Sequence, residues 1–100
     1  MAELAYIPLV VMHQHAVGHG GFHTGAMGRG SARLRWVYDC GSLRSAGQTR
    51  LSTEIERLAA GTDGEKRNID LLFISNFDRD HVSGIVELMS KVDVGTVIIP

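Results

Sequence analysis

Ile69-Asp70-Leu71-Leu72-Phe73-Ile74-Ser75-Asn76-Phe77-Asp78-Arg79-Asp80-His81-Val82-Ser83-Gly84 decides how the rest of the chain is read. Residues 69–75 are almost continuously apolar, the pattern of a strand covered on both faces in a parallel or mixed sheet. The chain then turns polar at once, with Asn76, Asp78, Asp80 and His81 inside six residues. That places them at the C-terminal edge of a strand, where open α/β sheets carry their sites. Oxygen and nitrogen donors at this density suit a hard or borderline divalent cation. The plainer reading is a solvated loop, 76–81, whose aspartates cap the next helix by accepting its free N–H groups. An EF-hand register puts Asn76, Asp78, Asp80 and Glu87 at positions 1, 3, 5 and 12. It fails because position 6 requires glycine and holds His81, and because a strand leads in rather than a helix.

Downstream, Val82, Ile85, Val86 and Met89 recur at helical spacing after Ser83 and Gly84, and residues 94–100 form another apolar strand. Upstream, Leu51, Ile55, Leu58 and Ala59 share one face of a helix over 49–60, with Gly61 as its stop and an exposed connection over 61–68. Residues 32–38 alternate basic and apolar side chains, a half-buried strand closed by a turn at Asp39-Cys40-Gly41-Ser42. Residues 4–17 read as a strand running into a glycine turn at Gly18-His19-Gly20-Gly21, and Pro8, lacking an N–H, puts that strand at a sheet edge. Phe22-His23-Thr24 begins a returning strand, and residues 25–31 read as a loop. The order ββ(β)-α-β-α-β predicts an α/β or α+β fold, a mixed sheet with helices packed on it, in a single domain over 1–100.

Composition agrees with one small domain: 44 % apolar residues form a core, and the low-hydrophobicity signature of a disordered chain is absent. A net charge of −1 lacks the basic excess of a protein that holds nucleic acid mainly by neutralising phosphates. The charge is unevenly spread, +3 in residues 1–50 and −4 in residues 51–100. Cys40 is the only cysteine, so no intrachain disulfide forms, which points to the reducing cytoplasm. The apolar run 4–12 has no basic residue before it, is broken by Pro8, and is too short to span a bilayer, so neither a signal peptide nor a membrane helix is expected.

Two blocks in this order, Val37-Tyr38-Asp39-Cys40-Gly41-Ser42 and residues 69–84, resemble the metallo-β-lactamase-fold superfamily. The first is similar to that family's strand ending in Asp-x-Gly. The second is similar to its hydrophobic strand followed by H-x-H-x-D-H and a small-residue helix start. The likeness is greatest to a bacterial branch of hydrolases with H-x-D-x-D-H loops, nuclease-like or phosphodiesterase-like. It implies the N-terminal half of an αβ/βα sandwich and metal-dependent hydrolysis, with zinc, or else manganese or magnesium, as the cofactor. By the same resemblance Asp80 and His81 match the Asp-His pair of the second metal position, with Asp80 also orienting the hydroxide as the catalytic residue. Asp78 stands where the second histidine is usual, and Asn76 stands at the first, where an amide oxygen is a weaker donor than imidazole. Asp39 matches the residue whose carboxylate supports the metal loop; on residue type alone it is a turn-forming aspartate.

Length and these ligands together lead to the expectation of an incomplete site: a chain weakly active or inactive alone, completed by a continuation, a partner chain or another copy. The alternative is a non-catalytic interaction module that keeps the sheet and has lost the metal site, a reading that Asn76 supports. His13 and His15 share a strand face and offer two imidazoles to a metal, although such pairs are common on wet strands. The turn 18–22 falls near the active-site edge in the resemblance, which puts His19 near substrate. Arg29, Arg33 and Arg35 either face a phosphoester or nucleic-acid phosphate or form the wet face of a strand. Cys40 reads as a buried structural thiol.

Overall fold

The computed structural model describes residues 9–29, 32–43, 45–60 and 67–100. They form β1 (Leu9–Gln14), β2 (Gly20–Arg29), β3 (Ala32–Ser42), α1 (Ser45–Ala59), β4 (Arg67–Phe73), α2 (Arg79–Val82), α3 (Ile85–Lys91) and β5 (Val92–Ile98). The five strands lie in chain order in one sheet. β1, β2 and β3 make an antiparallel meander, and β3, β4 and β5 run parallel, joined by α1 and then by α2 and α3. The fold is therefore α+β with a mixed sheet, as the patterning predicts. Among the described residues no helix is long and apolar enough to cross a membrane.

The apolar face of α1 supplies Leu51 and Ile55 to the core, α3 supplies Leu88, and the sheet answers with Phe22, Val37, Ile69, Leu72 and Val92. Burying one such side chain stabilises the fold by about 1.5–3 kcal/mol. Polar bonds tie the two helices together at the rim: Ser52 Oγ donates to Glu87 Oε1 at 2.8 Å, and Lys91 pairs with Glu56.

Several local expectations give way. Residues 25–29 are strand, not loop: β2 continues to Arg29, while Gly30 and Ser31 lie outside the described residues. Gly25 is there for packing, since a Cβ at that position would stand 2.1 Å from the Trp36 ring that lies across it. The turn expected at 39–42 is also strand, because β3 absorbs the change of direction in a register shift opposite Phe22 and His23 and in the left-handed backbone of Asp39, φ 60°. The loop expected over 76–81 ends early, Asp80 and His81 lying on the single turn α2. Helix α1 starts four residues before Thr49, and β5 starts two before Val94. β1 is an edge strand, in keeping with the reading of the N-terminal segment; Pro8 itself and Gly61 fall outside the described residues. β4 is covered on one face only: Leu72 is fully buried, whereas Leu71 and Phe73 line a groove of about 620 Å³ on the side of the sheet away from the helices.

Candidate functional site

Because β3 and β4 are parallel neighbours, their C-terminal ends reach the same edge of the sheet. β3 brings Asp39 to that edge, and β4 leads through Ser75 into α2. The two elements touch at backbone distance: a Cβ on Gly41 would stand 2.6 Å from the Asp80 carbonyl carbon and 2.7 Å from that of His81. Just beyond, the Gly84 N–H donates to the Cys40 carbonyl at 2.8 Å and fixes the start of α3 on β3.

Asp39 is 2 % exposed, and both of its oxygens are engaged. Oδ1 accepts the Ser75 backbone N–H at 2.8 Å, and Oδ2 accepts the Ser75 hydroxyl at 2.6 Å and lies 2.7 Å from His81 Nδ1. A proton on Nδ1 donated to Asp39 leaves Nε2 as the lone-pair nitrogen of His81. The hydrogen bond to Asp39 raises the pKa of His81 above its ordinary value; partial desolvation opposes this, and the charges of Asp39, Asp80 and Asp78 add to it. Ser75 Oγ is 3.3 Å from the same Nδ1. A Ser-His-Asp relay needs the hydroxyl on the other ring nitrogen, so this trio is not one. Cys40 is no nucleophile either: burial, then the charges of Glu87 and Asp39, push its thiol up to about 12.

Of the expected ligands, Asp80 and His81 come together, with Asp80 Oδ2 3.7 Å from His81 Nε2. The same oxygen is 3.8 Å from His19 Nε2, a neighbour from the glycine-rich turn before β2. Asn76 turns its side-chain oxygen back onto the chain, accepting the Asp78 N–H at 2.9 Å. Asp78 is exposed and holds the N-cap position of α2, but its side chain makes no capping bond, so the plain capping role does not describe it. A carboxylate oxygen and an imidazole nitrogen held from behind by a buried carboxylate are a donor set that fits a borderline divalent cation, with two of the three protein ligands a catalytic zinc takes. Ser75 and the pairing of His19 with Asp80 escape the sequence reading of the ligand segment. Ser75 precedes the polar run by one residue, and its partner Asp39 lies 36 positions away.

A second cluster gathers His13, His15 and Glu54, whose donor atoms lie within 4.8 Å of one another. The two imidazoles stack, with centroids 4.1 Å apart and planes 7° from parallel. In-plane lone pairs on parallel rings do not meet at one ion, so a metal here requires one ring to turn. His15 donates to or accepts from Thr24 Oγ1 at 2.8 Å through Nε2, while its buried Nδ1 is 3.6 Å from Glu54 Oε1 and has no hydrogen bond. Burial, then His13, lowers the pKa of His15, outweighing the attraction of Glu54.

No protein-family model, curated protein or solved structure matches the chain.

Proposed function

We propose that the chain is part of a metal-dependent hydrolase of phosphoester bonds, with His81 Nε2 and the Asp80 carboxylate as metal donors. The observation that carries this reading is the buried Asp39 carboxylate 2.7 Å from His81 Nδ1, the arrangement by which proteins fix the tautomer of a metal-binding histidine. A bound zinc, manganese or magnesium ion supplies an acidified water and polarises the scissile group. With such an ion held, Asp80 would also orient the attacking water, and His19, 3.8 Å from Asp80, is the candidate third donor within the chain. The phosphoester class and the αβ/βα sandwich rest on the resemblance of the Asp39 and His81 blocks; a sheet with helices on one face and an open face opposite is compatible with half of such a sandwich.

The test is zinc titration of the purified protein against a chromophoric chelator. Wild-type protein is expected to bind one ion weakly, His81→Ala to abolish binding, and Asp39→Asn, which tolerates the left-handed backbone, to weaken it about 10–100-fold. Equal affinity in wild-type and His81→Ala protein overturns the assignment. A second reading, a non-catalytic module that binds a partner chain or another copy, is favoured by the engagement of Asn76 Oδ1 with the Asp78 N–H. Asn76→His separates the two: a gain of metal affinity and of bis(p-nitrophenyl) phosphate hydrolysis supports the hydrolase, and no change in either supports the module.

A further inference from the structure

Away from the His81 edge, at the opposite end of the parallel strands, three arginines collect around one cavity. Arg33 and Arg35, two residues apart on β3, share a face of that strand, and Arg67 is the first residue of β4. With His13, Thr24 and Trp36 they line a cleft of about 260 Å³. All three arginines are half-buried, and the ion pairs among the described residues include none of them. Asp70 is engaged otherwise, its Oδ2 accepting the Arg35 backbone N–H at 2.7 Å.

Three like charges drawn partly out of water around one space repel one another and lose hydration, a cost that an anion in the space offsets. Each guanidinium fork takes a pair of oxygens, and a phosphate has enough oxygens to engage more than one fork, whereas a carboxylate offers a single pair and chloride none. Leu58 and Ile69 add an apolar wall on which a small organic group can rest. The volume lies below the roughly 300–1,000 Å³ usual for drug-sized ligands, which suits a phosphate with a small substituent. We propose that this cleft binds the phosphate of a small phosphomonoester, at a site separate from the His81 edge.

Isothermal titration calorimetry reads binding to the cleft without a label. The experiment titrates the protein with inorganic phosphate, with phenyl phosphate, and with chloride at matched ionic strength. Saturable changes with both phosphates and none with chloride are expected, phenyl phosphate binding the more tightly. Arg35→Gln and Arg67→Gln, checked for a native circular dichroism spectrum, are each expected to weaken phosphate about tenfold. Arg33→Lys keeps the charge and loses the fork, so it is expected to weaken binding while leaving the fold intact. A response to phosphate no greater than to chloride overturns the proposal, as do folded arginine variants that bind like wild type. His81→Ala is expected to leave the phosphate response unchanged; its loss there moves the anion to the other edge and overturns the assignment of the cleft.

Discussion

Asp39 and His15 show how single side chains carry strain and charge here. Asp39 holds φ 60° inside a strand, a conformation that aspartate and asparagine reach more easily than most residues, and uses it to aim one carboxylate at Ser75 and His81 together. Its presence after an alternating strand was legible, and the resemblance set it under the loop that carries His81; composition and spacing did not reveal Ser75 and His81 as its partners, because they lie 36 and 42 residues away and only the parallel pairing of β3 with β4 brings them near. His15 has its pKa lowered by burial and by His13, so the folded protein resists protonating it. The unfolded chain takes up that proton near 6.5. The contribution of His15 is thus complete above that pH and is lost as pH falls through it toward the folded value. Urea unfolding at pH 7 and at pH 5.5 is expected to show a larger loss for wild type than for His15→Gln, and equal losses rule out this origin.

At the level of elements, the informative contact is β3 against α2. Gly41 leaves no room for a methyl group between the strand and the carbonyl carbons of Asp80 and His81. Gly41→Ala is expected to destabilise the fold by about 1–3 kcal/mol, as overpacking does, and to weaken the proposed zinc binding by displacing the turn that carries Asp80 and His81. Urea denaturation and the chelator titration read these separately; a variant as stable as wild type argues against the close contact. Strong periodicity made α1, β4 and the half-buried start of β3 readable from sequence. The glycine-rich half of β2 was not, because glycine signals a turn locally, whereas Gly25 clears space for an indole eleven residues ahead on the next strand. The α2 turn was equally hidden, since four residues are too few to show a helical period.

Across the whole molecule, the helices cover one face of the sheet and leave the other open, with Leu34 and Tyr38 exposed and Leu71 and Phe73 half-buried along its groove. An uncovered apolar surface of this kind favours association. Sedimentation equilibrium is expected to show mass rising with concentration, and Tyr38→Glu, at a position 47 % exposed, is expected to hold the protein monomeric without unfolding it. A wild-type monomer at all concentrations refutes this. The order of strands has a further consequence. Since every strand pairs with the one before it in the chain, no pair has to open to admit a later strand. A polypeptide leaving the ribosome can therefore extend the sheet edge by edge, the local β1 to β3 meander forming first and each crossover adding a strand. The edge that joins Asp39 to His81 then assembles only when β4 settles beside β3, so that cluster is a late product of synthesis and the meander that supports it is an early one.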